Sequence, residues 1–118
     1  MNWYLAKIVF QIICGDGKHT PQFDEQLRLV QANNEETAFS KAVSIGVSEQ
    51  ETFYNDRKQL VQWRFINVAD LYQLNLIDEA ELHSKISEVD RAEDYVNFVN
   101  KKAEQIKSKY SYNELQLL

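Results

Sequence analysis

The pattern of apolar and polar positions changes its period inside one continuous run, residues 26–46. In its first part apolar and polar residues alternate, which is typical of a strand. In its second part apolar residues recur every three or four positions, which is typical of a helix. Asn33 lies at the change, and Glu36 follows three positions later, as in a capping box. We therefore predict a helix over residues 34–45 that Asn33 caps and Gly46 ends in a left-handed conformation.

Strands are predicted on both sides of this helix. Residues 3–13 form the first, and a polar loop with two glycines leads to the second, residues 23–31, which should pair antiparallel with the first. After the helix, a short strand over residues 52–55 and a long one over residues 60–74 flank a turn. The long strand should bend or bulge near residues 65–67, because its apolar residues change sides there.

The first strand is apolar on both of its alternating sides. Only Lys7 and Gln11 interrupt the second set, so both faces of this strand should be covered. One helix of roughly three turns covers only one face of a four-stranded sheet. We therefore expect the C-terminal region or another chain to cover the other face.

The C-terminal third is predicted to be helical. Asp78 and Glu81 begin a short helix that extends to about residue 87, and Asp90 caps a second that extends to about residue 110. The second helix carries an apolar stripe with a period near 3.6 residues. The members of that stripe are Ala92, Tyr95, Val96, Val99, Ala103 and Ile106.

The predicted fold class is therefore α+β. Residues 1–76 form a β-β-α-β-β antiparallel sheet domain with one helix on a face. Residues 77–118 form a helical extension that packs on this domain or on a partner copy.

The composition describes one mildly acidic domain. A net charge of −5 has the wrong sign for binding phosphate backbones, so nucleic acid is not an expected partner. The single cysteine favours a reducing compartment. The apolar start has no basic residues before it and Lys7 interrupts it, and no stretch is long enough to span a membrane. We therefore expect a cytoplasmic protein with no signal peptide and no membrane partner.

Charges are segregated along the last third of the chain. Seven acids and two bases lie between Asp78 and Asp94, whereas four lysines and one acid lie between Lys101 and Lys109. Acids near the start of a helix and bases near its end complement the helix dipole. We interpret the pattern in this way and not as a binding tail.

Few residues indicate chemistry. Cys14 and His19 are spaced as a pair of zinc ligands, but zinc needs three or four, and only His83 could add to them. The loop Gly15-Asp16-Gly17-Lys18 joins two predicted strands, whereas a phosphate-binding loop leads from a strand into a helix. We therefore predict no catalytic residues, no metal and no cofactor.

Three basic residues on predicted strands form a candidate ligand site, namely Lys7, Arg28 and Arg64. If they share a sheet face beside Trp3 or Trp63, they could hold a small anionic or aromatic ligand. Long basic side chains also commonly lie over apolar surface with the charge in water. A pocket in which the three converge would favour ligand binding or an enzyme-like function.

The aromatic content favours an interface. Two Trp, six Tyr and six Phe are present, and those on the predicted strands first of all build a core. Because one sheet face lacks a cover, aromatic residues there and the helical stripe are candidates for an interface. These candidates are Trp3, Trp63, Phe65, Tyr95, Val96 and Val99.

Three segments together resemble a known family. They are Trp3-Tyr4-Leu5-Ala6-Lys7, then Arg28-Leu29-Val30-Gln31-Ala32 leading into Glu35-Glu36-Thr37-Ala38, and Val61-Gln62-Trp63-Arg64-Phe65-Ile66-Asn67-Val68-Ala69-Asp70-Leu71. Over residues 2–76 the chain resembles the small bacterial family called domain of unknown function 4288. The resemblance implies the same sheet fold and a bacterial cytoplasmic setting. That family has no assigned activity, so the resemblance contributes no catalytic residues.

The functional expectation is a non-catalytic binding or assembly module that associates with itself as a homodimer. The alternative is a small anionic-ligand-binding or enzyme-like site on the sheet face that carries the three basic residues.

Overall fold

Four strands and two helices make up the part of the protein that the structure describes. The computed structural model describes residues 1–117, with side chains up to residue 110. The elements in chain order are β1 (Asn2–Cys14), β2 (Gln22–Ala32), α1 (Glu35–Ser48), β3 (Glu51–Tyr54), β4 (Leu60–Leu74) and α2 (Ala92–Leu117). The four strands form one sheet in the order β2-β1-β4-β3, and every neighbouring pair is antiparallel. The predicted α+β class with its antiparallel sheet is confirmed.

The core lies between α1 and one face of the sheet, which we call the helix-side face. Successive side chains of a strand point to opposite faces, so every second residue of β1 points toward α1. The residues that form this core are Tyr4, Ala6, Ile8, Phe10, Val30, Ala32, Ala38 and Ala42, none more than 3% exposed. The opposite side of the sheet, which carries the other alternating set of β1, is called the outer face below.

Two bulges in β4 shape this core. The register between β1 and β4 shifts once between Lys7 and Ile8 and again between Val9 and Phe10, which leaves Ala69 and Ile66 as the extra residues. The bulge predicted near residues 65–67 is thereby confirmed. An uninterrupted strand repeats every two residues, so only the bulges allow side chains three apart to share one face. Phe65, Val68 and Leu71 pack against the core in this way.

The helix α1 begins one residue later than predicted. The side-chain oxygen of Asn34, not that of Asn33, accepts a hydrogen bond from the Thr37 backbone N–H at 2.8 Å. Asn34 has extended backbone angles, as an N-cap residue should. The predicted cap at Asn33 is therefore wrong. Two adjacent asparagines offer the same chemistry, and the sequence pattern does not decide between them.

Gly46 does not end α1, so this prediction was wrong as well. The helix continues to Ser48, and Glu49 is its C-cap residue. Gly46 is buried inside the helix, and a Cβ placed on it would collide with the ring of Phe65. The glycine is therefore present because α1 and β4 approach each other closely, and not because the backbone turns left-handed.

The N-cap gives a direct prediction of stability. We expect Asn34→Ala to lower the free energy of unfolding by about 1 kcal/mol, because the Thr37 N–H loses its acceptor. Asn33→Ala is the matched control and should change it by less than about 0.5 kcal/mol, as is usual at exposed positions. Urea unfolding of the three proteins provides the comparison. A larger loss of unfolding free energy in the Asn33 variant would show that Asn33 is the N-cap, as the sequence pattern predicted.

The helix predicted over residues 78–87 does not form. A single turn follows β4, in which the Ala80 N–H donates to the Ile77 carbonyl at 3.1 Å, and Glu79 has a φ of 66°. A residue in this left-handed region cannot continue a right-handed helix. The segment instead brings the His83 ring onto Tyr72, with 4.0 Å between ring centroids.

The chain divides into two compact units, residues 1–84 and the remainder from residue 85. The second unit contains α2, which begins at Ala92 and has 26 residues. Glu93 and Asp94 lie in its first turn, where acids complement the helix dipole. Its last turn contains no basic residue, because the helix continues beyond the lysines. The dipole interpretation therefore fails for the lysines. None of the helices described is both long and apolar enough to cross a membrane.

Candidate functional site

The outer face of the sheet exposes a group of large apolar side chains. On β1, Leu5 and Val9 are half-buried. Around them, the more exposed members are Trp3 at 37%, Phe23 at 55%, Leu27 at 62% and Leu29 at 56%. Trp3 and Leu5 of β1 lie beside Leu27 and Leu29 of β2 in the strand register, and an exposed apolar surface of this kind is typical of a surface that binds another molecule. The two apolar sides of β1 therefore differ, since one is core and the other is surface.

Lys7 and Arg64 both lie on this outer face, but each has a partner on a neighbouring strand. The Lys7 Nζ lies 3.4 Å from a carboxylate oxygen of Asp70. Arg64 donates to the Gln11 side-chain oxygen at 2.8 Å. Lys7 thus lies between the apolar residues Leu5 and Val9 of β1, and the two cations have separate partners.

Arg28 lies on the opposite face of the sheet. It pairs in register with Ala6 of the core, whereas its neighbour Leu27 pairs with Lys7. Its guanidinium makes two parallel hydrogen bonds to the Glu49 carboxylate, at 2.7 and 2.8 Å. These hydrogen bonds lower the pKa of Glu49 and raise the pKa of Arg28 from their ordinary values. The structure therefore does not bring Lys7, Arg28 and Arg64 together.

A cleft opens on the helix-side face where α1 ends. It has a volume of about 680 Å³, and its lining includes Phe10, Asp24, Glu49, Phe53 and Trp63. The Trp63 indole N–H donates to an Asp24 carboxylate oxygen at 3.1 Å, and its ring stacks on Phe53 with 6.3 Å between centroids. The cleft thus combines aromatic and acidic side chains, and the two kinds are in direct contact at Trp63 and Asp24.

The chemistry of this cleft is limited. It carries the carboxylates of Asp24, Glu49 and Glu51, of which only Glu49 is paired with a cation, Arg28. Such a surface attracts cations and repels anions. Its ionisable lining residues are these carboxylates, and Ser48, the one hydroxyl in the lining, donates to the Ile45 carbonyl at 3.0 Å and is not hydrogen-bonded to a base. Asp24 and Trp63 are far apart in the chain, and only the strand register shows that they meet.

Two of the six interface candidates are partly buried in the first unit. Trp63 and Phe65 pack against the core on the helix-side face, and Phe65 meets Phe10 edge to face at 6.0 Å. The other four, Trp3, Tyr95, Val96 and Val99, are between 37% and 53% exposed. Each unit thus has exposed aromatic or aliphatic residues. Trp63 and Phe65 of β4 are not among them.

Cys14 and His19 close the loop between β1 and β2. The Cys14 backbone N–H donates to His19 Nε2 at 3.0 Å, and His19 Nδ1 lies 2.9 Å from the Thr20 carbonyl. Both ring nitrogens therefore have partners within the loop when Nδ1 carries the proton. Among the residues whose side chains are described, no three His, Cys, Asp or Glu residues form a group that could hold a metal ion.

The helix α2 carries an exposed apolar stripe. Its members alternate spacings of four and three residues, and they are Ala92, Val96, Val99, Ala103, Ile106 and Tyr110. Val96, Val99 and Ile106 are 45–53% exposed. Tyr95, which was predicted to belong to the stripe, lies beside it and is exposed as well, whereas Tyr110 extends the stripe by one position. The described residues of α2 thus present a continuous apolar surface along one side of a long helix.

Comparison with known proteins identifies a family. The model of the family described as "Domain of unknown function (DUF4288)" matches residues 3–84. The matched region contains all four strands, α1 and the segment that carries His83. No curated protein and no solved structure matches the chain.

Proposed function

The chain belongs to the family described as Domain of unknown function (DUF4288), and we propose that it is a non-catalytic assembly module that forms homodimers in the bacterial cytoplasm. The observation that carries the proposal is the apolar stripe of α2, half-exposed along the described part of the helix. A helix with apolar residues spaced alternately by three and four is suited to pairing with another helix.

The energy of burying the stripe is large enough to matter. Complete burial of a valine or isoleucine side chain contributes roughly 1.5–3 kcal/mol, so burying the exposed half contributes about 1 kcal/mol. Val96, Val99 and Ile106 from two copies therefore contribute on the order of 6 kcal/mol. That value offsets the lower part of the ~4–15 kcal/mol entropic cost of association. The aromatic surface of Tyr95 and Tyr110 adds to it.

The outer face of the sheet supports an interaction role for the first unit. Phe23, Leu27 and Leu29 are each more than half exposed, and all three lie on β2. Isolated exposed apolar residues are normal, but a neighbouring set on one strand is typical of an interaction surface.

The anionic-ligand alternative draws no support from this geometry. Lys7 and Arg64 lie on one face of the sheet and Arg28 on the other, each with a polar partner. The cleft on the helix-side face is acidic, so its field opposes an anionic ligand. A non-catalytic role therefore accounts for more of the surface than a ligand-binding or enzyme-like role.

The test is to place charge in the stripe of the full-length protein. We expect Val96→Lys with Val99→Lys to convert a dimer into a monomer, because four lysines would have to be buried in the interface. Sedimentation velocity measures the change in mass. Thermal unfolding of the sheet unit should be little affected, since these residues do not belong to its core.

A matched control adds the same charge on the other side of the helix. Asn97→Lys with Gln105→Lys adds two lysines that do not lie on the stripe, and this variant should remain dimeric. A wild-type protein that sediments as a monomer at all concentrations would refute self-association. A dimer that persists in the Val96 and Val99 variant would show that α2 is not the interface.

A further inference from the structure

The stripe of α2 has the spacing of a two-helix coiled coil. From Ala92 to Tyr110 the steps are four, three, four, three and four residues. A seam of this kind packs one residue of each helix into the space between residues of the other. The residues that flank the seam then lie close to those of the partner helix and influence the direction in which the helices pair. On one flank these are Glu93, Asn100 and Lys107, and on the other Tyr95, Lys102 and Lys109.

Among the side chains of α2 that the structure describes, up to residue 110, the flanking charges have no strong partner. Lys107 lies 3.7 Å from Glu104, and both side chains are more than 70% exposed, so the pair is weak. Lys102 lies over the Phe98 ring at 5.2 Å. The helix dipole does not explain the lysines either, because α2 continues past them to Leu117. Their position along the seam therefore calls for another explanation.

The two directions of pairing place these charges differently. In a parallel pair, the flanking positions Lys102 and Lys107 of opposite copies adjoin each other twice, which is repulsive. In an antiparallel pair with Val96 opposite Ile106 of the second copy, Glu93 adjoins Lys107 of the second copy twice, which is attractive. The antiparallel pair has one like-charge contact, between the two copies of Lys102. In this arrangement the two helix dipoles also run in opposite directions, which is favourable.

We propose that two copies of the protein pair through α2 in an antiparallel arrangement in which Glu93 of each copy meets Lys107 of the other. This rests on the proposed self-association and adds its direction and register. Val99 then packs beside Ala103 of the second copy, and the two-fold axis passes between the two helices at the level of these residues. The segregation of acids and lysines along α2 thereby becomes the feature that selects the direction of pairing.

Charge reversal in the full-length protein tests the direction. Glu93→Lys and Lys107→Glu should each weaken the dimer roughly tenfold, since each turns two attractive contacts into repulsive ones. The double variant should recover the wild-type dissociation constant to within about threefold. Sedimentation equilibrium gives the three constants. In a parallel dimer Lys107→Glu would instead tighten association, because it would relieve the repulsion with Lys102, and that result would overturn the proposal.

Disulfide trapping tests the register. On a Cys14→Ser background, equal amounts of Val96→Cys and Ile106→Cys proteins are mixed and oxidised. The antiparallel pair should give the mixed disulfide between the two variants. Like residues at position 96 would be about 15 Å apart along the axis, beyond the reach of a disulfide. Predominance of like-with-like disulfides would overturn the proposal while leaving self-association intact, whereas a wild-type monomer would remove both.

Discussion

Phe10→Ala should lower the free energy of unfolding by about 3–5 kcal/mol, the largest effect expected of any single substitution in the sheet unit. Phe10 is 1% exposed and is one of the largest fully buried side chains. Its ring also meets Phe65 edge to face, an arrangement that adds roughly 0.5–1.5 kcal/mol to the burial. A domain of this size is stable by only about 5–15 kcal/mol, so the variant should be near the limit of folding.

The measurement is urea unfolding followed by circular dichroism. Phe98→Ala is the matched control, because it removes the same side chain from a position on α2 that is 56% exposed. Its effect should be below about 0.5 kcal/mol. Equal losses in the two variants would contradict the assignment of Phe10 to the centre of the core. If the Phe10 variant does not fold, Phe10→Leu should give a smaller loss that can be measured.

Gly46→Ala should destabilise the protein by about 1–3 kcal/mol, although the same change in an exposed helix stabilises it by up to about 1 kcal/mol. The new methyl group would overlap the ring of Phe65, which β4 holds against α1. Because that ring is part of the packed core, moving it disturbs its contact with Phe10. The steric penalty should therefore exceed the gain in helix propensity.

A double-mutant cycle identifies the cause of this loss. Phe65→Ala removes the ring atoms that the methyl group would meet, so the combined variant should lose less than the sum of the single variants by at least about 0.5 kcal/mol. Ser44→Ala, at an exposed position two residues away in α1, controls for helix propensity and should be neutral or slightly stabilising. Additive losses would show that Gly46 is needed for a reason other than Phe65.

Much of the fold was predictable because it depends on local patterns. The period of two found the strands, and the change of apolar side in β4 located the bulge at Ile66. The predictions that were wrong concern features that depend on tertiary contacts. A glycine at the end of a helical sequence pattern is typical of a helix terminus, but the reason for a glycine at position 46 is the close approach of Phe65. The short helix after β4 failed because its few residues find partners elsewhere, as His83 does on Tyr72.

The candidate site was less predictable for a related reason. Whether Lys7 and Arg28 share a face depends on the register between β1 and β2, and a shift of one residue reverses the answer. The loop between these strands does not fix that register from sequence alone. The meeting of Asp24 with Trp63 depends on the pairing of both strands with β1. The apolar stripe of α2, by contrast, depends only on the spacing of residues along one helix, so the sequence pattern predicted most of it.

The position of β2 at one end of the strand order has a consequence for aggregation. An edge strand presents a row of free backbone N–H and C=O groups to which further strands can add, and β2 has 11 residues and an exposed apolar side. Asp24, Glu25 and Arg28 interrupt that strand with charge, as gatekeeper residues do in natural sheets. These charges therefore limit edge-to-edge growth into fibrils, so selection can retain them whether or not any partner binds there.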